Sequence, residues 1–170
     1  MRTVVLGPNP KIEALVAQRR LAGLDRFDEV WEGDYHVAPA AHFHHGYVAA
    51  QLAKVLRTYA EVAGLIEAGP FNLGEPNDYR VPDGGYLDAV ADAIYVPSAA
   101  VVVEVLSPDD ETFAKFAFYH RHGVREILVA DPSQRSLTCW RRHEDSFESA
   151  PTSTLLDAVL ADIEAEIIWP

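Results

Sequence analysis

Glu104 stands inside Val101-Val102-Val103-Glu104-Val105-Leu106, a carboxylate in the most apolar run of the chain. Side chains of a strand alternate faces, so Glu104 shares its face with Val102 and Leu106. An isolated carboxylate buried there is costly: it shifts its pKa, pairs with a cation or binds a metal. The plain alternative is a Glu at a strand end that reaches solvent or an Arg. Asp83 is the second acid. It follows Pro82 and precedes Gly84-Gly85 at the start of a short extended segment, although Pro-Asp-Gly is also a common turn. Lys115 is the third group, one of three Lys against eleven Arg. At helical spacing it lies on one stripe with Phe118, Tyr119 and His122, while Phe113, Phe116, Ala117 and His120 form another. If the first stripe faces the sheet, Lys115 points toward the end of the Glu104 strand. Two carboxylates on adjacent strands with an ammonium nearby suit phosphoryl chemistry. Carboxylate oxygens at about 2.1 Å suit Mg²⁺, which keeps waters and accepts phosphate oxygens. A Lys can orient the attacking water or stabilise developing negative charge.

Other residues compete for attention. His42, His44 and His45 fall within four residues and invite a zinc-hydrolase reading, but His44 and His45 point to different sides of a helix and no His-x-x-x-His pair is present. Ser107 lacks a Gly-x-Ser-x-Gly elbow and reads better as a helix cap. Cys139 is the sole cysteine and sits beside Trp140 in a strand pattern, where packing explains it. Glu32 could act in a site or simply close a hairpin.

The elements that must position these groups alternate along the chain. Residues 8–24 read as a helix with Pro10 in its first turn, and Glu29–Val37 as a hairpin turning at Gly33-Asp34. His44–Ala63 is the longest helical pattern, with Val48, Leu52, Val55, Leu56 and Tyr59 recurring and Gly64 as its stop. Short extended segments follow at 65–67, 79–81, 85–87 and 93–96. Ala100–Leu106 is apolar on both faces, as in a central covered strand. Ser107-Pro108 should open a helix that runs to His122 and stops at Gly123. Arg125–Ala130 is a second buried strand, spaced for a parallel crossover, and Ser136–Arg141 its hairpin partner. Leu155–Glu166 reads as a last helix with Leu155, Leu156, Val159 and Leu160 inward. The order predicts an α/β fold with a mixed central sheet covered by helices, in one domain spanning 1–170.

Net charge is −12, which alone disfavours nonspecific binding to polyanions. Its distribution differs: the balance is −9 over 1–111, +4 over 112–143 and −7 over 144–170. The basic stretch therefore precedes an acidic C-terminal segment. No apolar run approaches the roughly 18 residues of a membrane helix, and the N-terminus is too short in apolar residues for a signal peptide. A cytoplasmic protein is expected.

The assembled motifs resemble the PD-(D/E)XK nuclease superfamily, in its bacterial branch of restriction-endonuclease-like proteins. The resemblance rests on Arg80-Val81-Pro82-Asp83, then Val102-Val103-Glu104-Val105-Leu106-Ser107-Pro108, then Lys115 with Tyr119. Gly123-Val124-Arg125-Glu126 and Val129-Ala130-Asp131-Pro132 continue it, and Trp31-Glu32-Gly33 with the helix opening at His45 begins it. It covers roughly 28–142. It implies a restriction-endonuclease-like core with N-terminal helix and hairpin additions, and a Mg²⁺-dependent endonuclease on DNA, with Mn²⁺ a substitute. Asp83 and Glu104 would hold the metal, with the backbone carbonyl of Val105 a further ligand. Glu32, His45 and Tyr119 are supporting candidates. The position two after Glu104 is Leu106 rather than Lys, so Lys115 from the following helix would supply the ammonium. Arg121, Arg125, Arg135, Arg141 and Arg142 are candidates for phosphate contact, or for ion pairs with the acidic remainder. A homodimer would present two sites to two strands. A nuclease-fold binding or scaffold protein without turnover is the alternative that the net charge and the displaced Lys motivate.

Overall fold

The computed structural model describes residues 4–7, 9–108 and 111–170. The elements are β1 (Val4–Leu6), α1 (Pro10–Leu21), β2 (Glu29–Trp31), β3 (Asp34–Val37), α2 (Phe43–Val62) and β4 (Ile66–Ala68). Next come β5 (Asn72–Glu75), β6 (Asp78–Arg80), β7 (Gly84–Leu87), β8 (Tyr95–Val96) and β9 (Val101–Val105). A 3₁₀ turn (Thr112–Lys115) leads into α3 (Phe116–Arg121), then β10 (Glu126–Asp131), β11 (Ser136–Arg142), β12 (Phe147–Ala150), β13 (Thr152–Ser153), β14 (Ala158–Val159) and α4 (Leu160–Glu166).

Two six-stranded sheets form, ordered β1-β3-β2-β6-β5-β8 and β12-β11-β10-β9-β7-β4. The second is the mixed central sheet: β9 and β10 are parallel, and every other pair in it is antiparallel. This bears out the α/β class and the predicted crossover. The hairpin, expected as an addition, is part of the first sheet, together with β1 and β5, which local pattern did not single out.

The β9 run is apolar throughout because both faces are covered. Val101, Val103 and Val105 pack with Val48, Leu52 and Leu56 of α2 and with Ile163 of α4. Val102 faces the other way, with Ile127, Val129, Phe118, Tyr119, and Leu73 of the first sheet. Burying each such aliphatic side chain contributes about 1.5–3 kcal/mol. In α2, Val48, Leu52, Val55, Leu56 and Ala60 form one buried stripe at helical spacing. Gly64, at φ +71, ends the helix, with the Leu65 amide on the Ala60 carbonyl and the Gly64 amide on that of Glu61. A smaller core of Val16, Val30, Tyr35, Tyr79 and Val81 joins α1 to the first sheet. Arg19 also anchors that helix, its Nη2 lying 2.7 Å from Oδ2 of buried Asp28.

Several boundaries differ from expectation. Helix α1 begins at Pro10, its first amides capped by the Asn9 side chain, and residue 8 lies outside the described residues. The hairpin turns at Glu32-Gly33, both at positive φ, one residue before the Gly-Asp signal. After β9 the chain does not enter a helix at Pro108; helical turns begin at Thr112, with Asp109-Asp110 outside the described residues. The predicted last helix starts only at Leu160. Buried Glu126 takes the Ser153 hydroxyl and the amides of Thr154 and Leu155, which holds that stretch out of a helix. Val159 accordingly falls in β14 and is exposed. Among the described residues no helix is long and apolar enough to cross a membrane.

Candidate active site

Strand register brings the two acids together. Strands β7 and β9 are antiparallel with Gly84 opposite Val103, so one step further the register sets Asp83 alongside Glu104. Asp83 is then fixed by two bonds. Its Oδ2 accepts the Val105 amide at 2.8 Å, and its Oδ1 lies 2.8 Å from His45 Nε2. A carboxylate only accepts, so Nε2 carries the hydrogen. The Nδ1 of a neutral His45 then accepts from the Ser107 hydroxyl, 2.9 Å away. Ser107 thus meets the first turn of α2.

Lys115 turns inward because of the 3₁₀ turn that carries it. Side chains three residues apart eclipse there, and Thr112 is buried, so Lys115 follows it toward the sheet. Tyr119, one helical turn on, lies on the same face and is fully buried. The stripe of Lys115, Phe118 and Tyr119 is therefore the one that packs inward, while Phe113 stays exposed. Lys115 Nζ lies 3.3 Å from Glu104 Oε1, and the Tyr119 hydroxyl donates to the same oxygen.

Glu104 is 3 % exposed. Burial pushes its carboxyl up to about 8, with Asp83 adding to the rise and Lys115 and Tyr119 opposing it. For Lys115, burial favours the neutral amine, but the carboxylates of Glu104 and then Glu29 outweigh it and raise its pKa.

Glu29 is the group that sequence reasoning missed. It is 8 % exposed at the start of β2, and its Oε1 lies 2.9 Å from Lys115 Nζ, closer than Glu104 does. The same oxygen accepts the Val81 amide at 2.8 Å, and Oε2 accepts the Trp31 indole N–H at 2.6 Å. Nothing local marks Glu29, since an acid next to Asp28 at a strand start reads as solvated. Glu32, the acid that did attract notice, sits in the hairpin turn, 76 % exposed and facing Arg121 at 3.7 Å. It belongs to the hairpin rather than to this site.

With Glu29, Asp83 and Glu104 all ionised, the three carboxylates and the Lys115 ammonium leave a formal excess of two negative charges, which a divalent cation would balance. Among the described residues no three His, Cys, Asp or Glu side chains form a metal-holding group. Mg²⁺ needs none, since it is bound by one or two carboxylates plus waters and phosphate oxygens. The donor set of Asp83 and Glu104 fits that ion. It does not favour the zinc reading, because the three histidines do not converge: His42 and His44 stay in contact while His45 turns away. His42 caps α2 by accepting the His44 amide on Nδ1, His44 stacks edge-on against His42, and His45 turns to Asp83.

The basic residues do not gather around this site. Arg125, Arg141 and Arg142 lie at the opposite end of the central strands, since Glu126 pairs with both Val101 and Arg141. Arg121 faces Glu32 and Asp78, and Arg125 pairs with Asp88. Arg135 reaches the Pro170 carbonyl, Arg141 the Thr154 hydroxyl and Arg142 the His120 carbonyl. Buried Cys139 packs in the main core.

Residues 20–167 match the family model Uma2, described as "Putative restriction endonuclease". Among solved structures, the chain superposes on a crystal structure of a putative nuclease belonging to DUF820 from Anabaena variabilis ATCC 29413. The TM-score is 0.67 at 14% identity, over 83% of this chain and 91% of that one. No curated protein matches the chain.

Proposed function

Since the chain belongs to the Uma2 family, we propose that it is a metal-dependent endonuclease that hydrolyses DNA phosphodiester bonds at the Asp83–Glu104–Lys115 site. The observation that carries this reading is the convergence of two carboxylates on one ammonium, with Glu104 buried and Lys115 Nζ 3.3 Å from it. Asp83 and Glu104 would hold Mg²⁺ or Mn²⁺, with the Val105 backbone carbonyl as a further ligand on the strength of the family resemblance. Bound there, the cation would lower the pKa of a water and neutralise charge on phosphorus. Lys115 positions the attacking water or meets the charge that builds on the phosphate oxygens. His45 and the Val105 amide keep Asp83 from rotating, and the Tyr119 hydroxyl aims Glu104. Arg121, Arg125, Arg135, Arg141 and Arg142 are then phosphate contacts only where DNA displaces their present partners.

The test is cleavage of supercoiled plasmid and of single-stranded DNA at low salt, where phosphate contacts are strongest. It is run with EDTA, Mg²⁺ or Mn²⁺, beside Lys115→Met. Metal-dependent cleavage lost in the variant supports the reading. Equal cleavage by the variant removes Lys115 from the mechanism. Metal binding without cleavage of either substrate moves the protein to the non-catalytic binding role. Linear product at single encounters would mark two sites acting together, as in a homodimer.

A further inference from the structure

We propose that Glu29 is a positioning residue: it, rather than Glu104, holds the Lys115 ammonium in the site. Three observations carry this. Glu29 is the nearer partner, with Oε1 2.9 Å from Nζ against 3.3 Å for Glu104. Glu29 is itself immobilised, since the Val81 amide and the Trp31 indole N–H occupy both its oxygens and it is buried. It also belongs to the first sheet, whereas Glu104 belongs to the second. The ammonium is thus tethered from outside the strands that bear the acid pair.

The need for a second anion follows from charge. A divalent cation held by Asp83 and Glu104 neutralises the anion that attracts Lys115 and repels the ammonium directly. A Lys held by Glu104 alone would swing out to solvent when the cation entered. Glu29 keeps it facing the site, charged and at fixed height. The Val81 amide extends the effect, because Val81 lies two residues before Asp83. One carboxylate therefore registers both the segment that carries Asp83 and the turn that carries Lys115.

The chain has three lysines, Lys11, Lys54 and Lys115, so selective ¹³Cε labelling gives three resolvable side-chain signals. In the metal-free protein at about pH 9, where Glu104 is ionised and its exchange for Gln removes a charge, the Lys115 signal should stand apart from those of Lys11 and Lys54. Glu104→Gln should leave it apart, because Glu29 remains. Glu29→Gln should move it toward the other two, and Mg²⁺ should complete that movement. Collapse of the signal in Glu104→Gln would overturn the proposal, and that variant decides the matter even if Glu29→Gln does not fold. An unmoved signal in folded Glu29→Gln would overturn it as well.

The kinetic arm rests on the nuclease reading. Glu29→Gln should lower kcat on the order of 100-fold with KM nearly unchanged, and adding Glu29→Gln to Lys115→Met should lower activity no further than Lys115→Met alone, because Glu29 acts through Lys115. A multiplicative loss in the double variant would refute that route. Failure of the wild-type protein to cleave would sink the nuclease reading alone, since the lysine signals read the positioning without turnover.

Discussion

Replacing Glu104 by Gln should stabilise the metal-free fold at alkaline pH while abolishing cleavage. The Glu104 carboxyl titrates at 4.5 in an unperturbed setting and is raised by burial to about 8 in the fold. Between those values the unfolded chain has released this proton and the folded chain keeps it. The folded state then binds more protons, so its stability falls as pH rises. The slope is at most about 1.4 kcal/mol per pH unit, and the full window amounts to roughly 5 kcal/mol. Lys115 does not disturb this window, because its ordinary value is 10.5 and the fold raises it, so it is charged in both states. Gln has no proton to lose. Its oxygen still accepts from Tyr119 and Lys115, and Lys115 retains Glu29 at 2.9 Å. The assay is urea unfolding of both proteins in EDTA from about pH 5 to about pH 9, at matched ionic strength. The variant should gain on the wild type steadily up to about pH 8 and hold its lead above that. Parallel curves, or a variant that loses ground with rising pH, would show that Glu104 is ionised throughout and refute the reasoning.

Three further outcomes follow from the same geometry. Gly74→Ala should cost about 2–4 kcal/mol in urea unfolding, because Gly74 has φ +123 and a Cβ there would meet the Asp78 carbonyl and, at 2.8 Å, Phe118 Cζ. Cys139 should resist a disulfide-exchange reagent until the chain unfolds, since the thiol is fully buried and burial raises it to about 12; rapid labelling of native protein would contradict this packing. Mg²⁺ should raise Tm in wild-type protein and in Glu32→Gln alike but not in Asp83→Asn, and a Glu32→Gln variant that lost the rise would return Glu32 to the site.

Much of the central sheet was legible because its signals are local. An unbroken apolar run announces a strand covered on both faces, and the spacing from 100–106 to 125–130 suits a parallel crossover. Glu104 stood out for the same reason, as charge where the pattern demands none, and Asp83 through the Pro82 before it and the Gly84-Gly85 after it. The first sheet was harder. Its strands are two to four residues long, and β2 joins β6 through a single pair, Val30 with Tyr79. No periodicity develops over so short a span, and nothing near Glu29 in the chain hints at Val81 or Lys115. The last helix was overextended because an apolar pattern cannot report that Glu126, some 28 residues earlier, needs the Thr154 amide.

The position of the lysine shows why motif spacing is a weak proxy for chemistry. Leu106, two after Glu104, lies on Glu104's face of the strand and packs against the core beneath α3. A lysine there would point at the same space that Lys115 enters from the 3₁₀ turn. The hydrolysis proposed above needs an ammonium within a few ångströms of a buried carboxylate; it does not specify which segment delivers it. A lysine on a strand adjacent to its acid is held by the sheet itself. A lysine on a short turn lacks that support and must be tethered from elsewhere, and in this fold the tether is Glu29. Moving the lysine in sequence and recruiting an anion from a second sheet are thus two halves of one structural solution. Chains that place Lys at the Leu106 position should have no need of an acid at the Glu29 position. Installing Leu106→Lys beside Lys115→Met here should accordingly give cleavage that Glu29→Gln no longer impairs, whereas continued dependence on Glu29 would mean that it acts on the site by some route other than the lysine.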